Sequence, residues 1–301
     1  MFVDQSLALA AVDDKRAQPA AAPPPRRRHR IRPSLAVGGG ILIVFALAAV
    51  FAPLLTSWDP MAQDLEARLS PPAWVDGGSS THLLGTDSFG RDIFSQLLYG
   101  ARYSIGVACA STLIAGLVGV ALALIAGYSN RWTSGLIMRS VDAMQSLPPV
   151  LVALMVAALF GNSVVKLTLV LAVTAWPTYT RILFNVVRSV REQDFVSASI
   201  ATGQRPLNVV VSHILPNVAS SIIVITTLQI GRMVLLEAGL SFLGLGVPLT
   251  SPAWGTMLAD GQKYIHTNVY LSLLPGLAVT LLVGGVNLFG EGMRRTLNPR
   301  N

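Results

Sequence analysis

Six long runs of apolar residues are separated along the chain by polar connections that contain glycine and proline. The runs lie near residues 34–55, 103–127, 136–160, 165–187, 218–239 and 270–290. Each is close to the roughly 20 residues that a helix needs to cross a bilayer, and none alternates like a strand. Because a spanning segment must satisfy its backbone hydrogen bonds internally, the pattern predicts an all-α integral membrane protein with six transmembrane helices.

Composition and charge agree with this prediction. Of 301 residues, 52% are hydrophobic and 12% are charged, whereas soluble domains carry about a quarter charged residues. The formal net charge of +7 does not indicate a nucleic-acid partner, because basic residues crowd the cytoplasmic flanks of membrane spans. They gather before residue 34, in 128–135, in 188–216 and after 291; the opposite connections hold only Arg68, Arg91, Arg102, Lys166 and Lys263. The bias predicts cytoplasmic termini and an extracytoplasmic loop at 56–102.

The two ends of the chain differ in length and composition. Residues 1–33 are rich in alanine and proline and then in arginine, and such a segment cannot bury a core, so we expect a disordered basic cytoplasmic tail. The apolar run that follows is too long for the hydrophobic region of a cleavable signal peptide, which favours an uncleaved first transmembrane helix at 34–55. We expect residues 292–301 to form a second, short cytoplasmic tail.

A moderately polar segment, 192–216, separates the fourth and fifth predicted spans. Its first half is compatible with a helix, and Gly203 suits a helix end because glycine adopts a left-handed conformation without strain. Pro206 fits the first turn of a second short helix, and we expect Pro216 to end it and Asn217 to cap the next span. Two short helices with a mixed surface suit docking into a groove; an amphipathic loop lying on the bilayer is the alternative.

The same segment resembles the cytoplasmic EAA loop of ABC importer permeases. The resemblance is carried by Ser197-Ala198-Ser199, by Gly203 and by Leu215-Pro216. Ser197 stands where that family commonly has glutamate and Ser199 where it often has alanine. A charged contact to the ATPase is then either missing in this chain or supplied by Glu192 or Asp194. Residues 82–102 and 237–258 are similar to segments of the C-type subunit of dipeptide and oligopeptide permeases, in the expected order.

The resemblance implies a type I ABC importer permease fold in the bacterial inner membrane. It further implies a heterodimer with a sister permease, two cytoplasmic ATPase subunits that bind ATP and magnesium, an extracytoplasmic solute-binding protein and a peptide substrate. The contacts to the ATPases would come from the 192–216 coupling loop: Ser197, Ala198, Ser199, Gly203, Arg205, Pro206, Leu215 and Pro216. The chain lacks a phosphate-binding GxxxxGK[ST] motif and a metal-ligand spacing, so we expect no cofactor, no metal and no enzyme activity in this chain.

Several further residues are candidates for function or structure. We expect the Pro148-Pro149 pair to kink the third span and Arg139 to pair with Asp142 on one helical face. Candidates for the pathway or a gate are Arg232, Glu237, Gly244 and Gly246, and candidates for a loop cluster of ion pairs at the outer face are Asp87, Arg91 and Asp92. The alternatives are the same machine with a nickel-chelate or glutathione-like cargo, and an ion-coupled secondary transporter.

Overall fold

The computed structural model describes residues 33–160, 163–248 and 250–297. These residues form helices joined by turns, with one isolated bridge between Thr86 and Asp92, so the all-α prediction is confirmed. The predicted disordered tail lies outside the described residues, apart from Pro33. The helices are α1 Pro33–Leu55, α2 Ile93–Tyr128, α3 Arg131–Gln145, α4 Pro149–Phe160, α5 Val164–Arg191, α6 Asp194–Ala201, α7 Pro206–Val209, α8 Leu215–Phe242, α9 Trp254–Gln262 and α10 Tyr270–Leu297, with a π-helical turn at Val210–Ile214 between α7 and α8.

Among the described residues, five continuous helices are long and apolar enough to cross a membrane: Pro33–Leu55, Ile93–Tyr128, Val164–Arg191, Pro206–Phe242 and Tyr270–Leu297. Their directions follow from contacts at their ends. Arg191, at the end of α5, donates to the carbonyl oxygen of Gly127, at the end of α2, over 3.2 Å. Both helices therefore finish at the same end of the bundle, which also carries α6 and α7 and which we call the hairpin end.

The opposite end of the bundle carries the long 56–92 connection, and we call it the connection end. Here the hydroxyl of Tyr270, at the start of α10, donates to the carbonyl oxygen of Ser70 over 3.3 Å. A guanidinium nitrogen of Arg91 lies 3.5 Å from a carboxylate oxygen of Asp260 in α9. The connection is thereby tied to the segment that precedes the last span.

The third predicted span, 136–160, is two helices rather than one. The chain breaks at residues 146–148 between α3, of 15 residues, and α4, of 12 residues, because Pro148 and Pro149 lack the backbone N–H groups that would continue α3. The polar α3 lies against α5, where Asp142 pairs with Arg181; the predicted pairing with Arg139 is wrong. Together α3 and α4 return the chain from the hairpin end to the start of α5, and a sixth continuous spanning helix is not found among the described residues.

Two helix boundaries also differ from the prediction. The second span begins at Ile93 rather than near residue 103, because Asp92 caps it by accepting a hydrogen bond from the Ser95 backbone N–H over 2.8 Å. The extracytoplasmic loop predicted at 56–102 is correspondingly shorter. At the carboxyl end, α10 continues to Leu297, so most of the predicted 292–301 tail is helical, while residues 298–301 lie outside the described range.

Helices α2 and α5 form the centre of the bundle, and they approach closely at a glycine. A Cβ atom at Gly119 would lie 2.4 Å from the Cβ of Tyr179, which is fully buried. The hydroxyl of Thr180 donates to the carbonyl oxygen of Gly119 over 3.2 Å. Helix α1 packs against α10 in a similar way, because a Cβ at Gly38 would lie 2.4 Å from the backbone nitrogen of Phe289. These contacts hold α2 against α5 and α1 against α10, and the packed helices position the hairpin end and the connection end.

Candidate coupling site

Helices α6 and α7 form a hairpin whose turn depends on Gly203. Its φ angle is +78°, the left-handed region that glycine adopts without strain, as predicted. A Cβ at this position would meet nothing within 4 Å, so the turn needs glycine for its backbone and not for space. Pro206 occupies the first turn of α7, also as predicted. The local sequence thus determines the angle between the two short helices.

The inner side of the hairpin is anchored in a small apolar cluster. Val196 of α6 and Val209 of α7 are fully buried, together with Ile214 of the π-helical turn. They pack with residues from the end of α5 and the start of α8: Val187, Val190 and Val218. Burial of aliphatic side chains is the main source of stability for such a small element. The hairpin is therefore fixed to the ends of the two helices that it joins.

The outer side of the hairpin is exposed and partly apolar. Phe195 is 41% exposed, Ile200 is 45% exposed and Leu207 is 72% exposed. The ring of His213 lies against that of Phe195, with centroids 6.3 Å apart. Of the predicted coupling residues, two are half-buried, Ser199 and Leu215, and the others are exposed: Ser197, Ala198, Gly203, Arg205, Pro206 and Pro216. The structure gathers them on one short element, and their contacts with an ATPase remain a prediction.

Leu207 is the most exposed apolar residue of this surface, and sequence reasoning missed it. Helix α7 has four residues, which is too short for an apolar periodicity to identify which side is buried. The sequence held no signal for it, because only the observed burial of Val209 shows which side of α7 faces outward. Together with Phe195 and Ile200, Leu207 makes the outer side of the hairpin partly apolar.

Pro216 and Asn217 do not separate the hairpin from the next span as predicted. The π-helical turn Val210–Ile214 joins α7 to α8, and the Leu215 backbone N–H bonds to the carbonyl oxygen of Val210. The wider turn accommodates Pro216, which has no N–H to donate. The side chain of Asn217 donates to the carbonyl oxygen of His213 over 2.7 Å, a bond to the turn that precedes it, and does not cap a new helix.

The predicted loop cluster forms at the connection end, in two separate parts. Arg91 pairs with Asp87 over 2.6 Å, and both side chains are largely buried. Asp92 pairs instead with Nδ1 of His82 over 3.0 Å while it caps α2. Asp87 also accepts a hydrogen bond of 2.9 Å from the Gln96 side chain. The cluster fastens the 56–92 connection to α2, and through Arg91 to α9; a contact with substrate or a delivery protein stays a prediction.

The pathway candidates lie near the end of α8 in two different environments. Glu237 is fully buried, and its carboxyl group accepts hydrogen bonds from Ser104 over 2.7 Å and from Ser241 over 2.8 Å. Gly246 is also buried, where a Cβ would lie 2.1 Å from the Ser241 hydroxyl oxygen. Arg232 and Gly244 are exposed. As expected, Arg232 and Glu237 do not pair with each other; their roles in a pathway remain predictions.

A bundle of apolar spanning helices with an exposed helical hairpin at one end is the arrangement that the resemblance to ABC importer permeases implies. The chain belongs to the family described as binding-protein-dependent transport system inner membrane component, whose pattern matches residues 119–301. Residues 26–72 match the N-terminal transmembrane domain of oligopeptide transport permease C. It is thus a multi-pass integral membrane protein of a bacterial inner-membrane permease family, not an enzyme, and the family implies ATPase subunits and a substrate-binding protein as partners.

Individual relatives and a solved structure agree with this assignment. The di/tripeptide transport system permease protein DppC of Pseudomonas aeruginosa is 38% identical over 264 residues, which is 87% of each chain. The dipeptide transport system permease protein DppC of Escherichia coli is 40% identical over 266 residues, 88% of this chain and 89% of that one. An inward-facing structure of the MetNI methionine ABC transporter has a TM-score of 0.57 at 16% identity, over 67% of this chain and 96% of the other, which shows a shared fold.

Proposed function

We propose that the chain forms one half of the transmembrane pathway of an ATP-driven importer of dipeptides and oligopeptides. Family membership supports the transport role. The peptide cargo is supported by DppC relatives that are 38% and 40% identical over most of both chains. Nickel chelates and glutathione-like molecules are the alternative cargoes that an uptake assay distinguishes.

The remaining subunits of the proposed importer supply what this chain lacks. A sister permease completes the pathway as a heterodimer, and an extracytoplasmic solute-binding protein delivers the peptide at the connection end. Two ATPase subunits bind ATP and magnesium at the hairpin end, which is cytoplasmic together with both termini. The sequence supports this division, because it has no phosphate-binding loop of its own.

The observation that carries the proposal is the exposed hairpin α6–Gly203–α7. Its outer apolar side chains, led by Leu207 at 72% exposure, suit insertion of a short helix into a groove on another protein. Its inner side chains are buried against α5 and α8. A displacement of the hairpin by closing ATPases therefore moves the ends of two spans together, which shifts the pathway from inward-facing to outward-facing.

We assign residues to the wall of the transport pathway by whether they are exposed in this chain. Arg232, in the connection-end half of α8, and Gly244, in the turn after α8, are exposed and are our candidates for the wall of the pathway. Ionisable residues in membrane helices normally face a cavity or a protein interior, which suits Arg232 once a sister subunit covers this side. Glu237 and Gly246 are buried within this chain, and we assign them to holding the end of α8 in place.

The test is purification of the full-length chain from its native membrane in mild detergent, with identification of the co-purifying chains. We expect two ATPases and a sister permease, and we expect Leu207→Glu to lose the ATPases and ATP-dependent uptake. Leu65→Glu is the matched control, because Leu65 is 70% exposed but lies in the 56–92 connection, and it keeps the ATPases. A lone homo-oligomer with gradient-driven uptake would instead establish the secondary-transporter alternative.

A further inference from the structure

A cleft of about 870 Å³ opens at the hairpin end, beside the coupling hairpin. Its walls are the last turn of α2, the first half of α3, the last turns of α5 and one side of α6. Helix α3 contributes residues 131, 134, 135 and 138, which share one face of a helix. The volume lies within the range of about 300–1,000 Å³ typical of small-molecule sites.

The lining of this cleft is basic. It holds Arg131, Arg188 and Arg191 against the single carboxylate of Glu192, so two positive charges are in excess. Arg191 is a structural part of the wall: its guanidinium donates to the Gly127 carbonyl oxygen. Arg188 lies 3.5 Å from Glu192, with both side chains about two-thirds exposed, and Arg131 is exposed at the start of α3. These two arginines are accessible to an anion.

Hydroxyl groups and apolar side chains complete the surroundings. Ser134 and Ser197 line the cleft and bring hydrogen-bond donors for anionic oxygens. On the neighbouring face of α3, Trp132 is 88% exposed and Leu136 is 69% exposed. Tryptophan is enriched at the level of lipid headgroups. The cleft thus combines cations, hydroxyls and an adjoining apolar surface at the ends of spanning helices.

We propose that this cleft binds the phosphodiester headgroup of an anionic phospholipid, with Arg131 and Arg188 as the ligating cations. Basic pockets between transmembrane helices at the membrane surface suit such headgroups. Trp132 and Leu136 lie where the acyl chains of the same lipid continue, a contact that a free phosphate does not make. Because the cleft adjoins Ser197 of the coupling hairpin, a bound lipid braces α3 against the element that contacts the ATPases.

The proposal rests on the membrane fold and not on the cargo, so it is tested without transport. The full-length chain, with its co-purifying subunits, is delipidated and exposed to vesicles of phosphatidylglycerol or of phosphatidylcholine, and bound lipid is counted by native mass spectrometry. We expect selective retention of phosphatidylglycerol, and a loss of about tenfold or more in Arg131→Ala/Arg188→Ala. The charge-keeping Arg131→Lys/Arg188→Lys variant retains most of the binding, which separates lost charge from misfolding.

Arg139→Ala is the matched control, because Arg139 is exposed on α3 but does not line the cleft. It should retain phosphatidylglycerol like the unmodified chain. A loss in Arg139→Ala as large as that in the single variant Arg131→Ala would show diffuse attraction of a basic surface to anionic lipid and would overturn the site. Equal retention of phosphatidylcholine, or displacement of phosphatidylglycerol by equimolar inorganic phosphate, would overturn the assignment to an anionic lipid.

Discussion

The hydroxyl of Ser104 donates a 2.7 Å hydrogen bond to the carboxyl group of Glu237, and this bond joins α2 to α8 at positions 133 residues apart. Both residues are fully buried. Ser241, the second donor to Glu237, accepts in turn from the Val247 backbone N–H over 3.3 Å. The turn after α8 is thereby held to the centre of the bundle by a chain of polar contacts.

Ser104→Ala is expected to destabilise the protein. The substitution leaves a buried carboxyl oxygen without its donor, which costs about 1–2 kcal/mol in the free energy of unfolding. The measurement is thermal unfolding in detergent, with Ser140→Ala as the control, since Ser140 is exposed and bonds only to the Leu136 carbonyl oxygen of its own helix. Equal Tm values for the two variants would refute a stabilising role for the Ser104–Glu237 bond.

Arg91→Ala is expected to loosen the connection end. The side chains of Arg91 and Asp87 are only 11% and 10% exposed, and removal of one partner from a buried ion pair costs about 3 kcal/mol because the other charge stays buried. Proteolysis within 56–92 reports the loss, as faster cleavage than in the unmodified chain. Arg294→Ala serves as the control, because its partner Glu291 lies at the exposed end of α10; unchanged cleavage in Arg91→Ala would contradict the prediction.

The left-handed backbone at Gly203 is expected to be essential for coupling and dispensable for folding. Gly203→Pro forbids the observed φ of +78°, since proline fixes φ near −65°, and should abolish ATP-dependent uptake while membrane insertion persists. Gly203→Asn should retain most uptake, because asparagine tolerates the left-handed region. Gly40→Ala is the control. A Cβ at Gly40 has open space around it, so this variant reports the effect of adding a Cβ elsewhere in the chain. Full uptake in Gly203→Pro would eliminate the coupling role.

Local sequence rules predicted the features that depend only on residues close together along the chain. The apolar lengths predicted five of the six spans as continuous helices, and the backbone freedom of Gly203 and the missing N–H of Pro206 predicted the turn and the start of α7. Distant contacts were not predictable from spacing. Asp142 pairs with Arg181, 39 positions away, and not with Arg139, and Arg91 reaches Asp260, 169 positions away, because these partners are brought together by the packing of whole helices.

The continuation of α7 into α8 shows a second limit of prediction from the sequence. A proline normally ends a helix, which made Pro216 a reasonable boundary. The π-helical turn Val210–Ile214 opens the helix at the point where Pro216 lacks its hydrogen bond, and Asn217 supplies a side-chain donor for the carbonyl oxygen of His213. Ile214 of this turn is fully buried, so the turn is packed as part of the anchored hairpin.

The orientation of the bundle is tested by cysteine labelling. Cys109 is exposed on α2, so the background is Cys109→Ser. Arg205→Cys places a thiol on the coupling hairpin and Asp76→Cys places one in the 56–92 connection, and both positions are exposed. The excess of basic residues at the hairpin end predicts that this end is cytoplasmic. In intact cells, an impermeant thiol reagent should therefore label Asp76→Cys, and Arg205→Cys only after the membrane is opened. The two variants serve as controls for each other. An inverted bundle would be labelled at Arg205→Cys and not at Asp76→Cys, and a leaky preparation would be labelled at both.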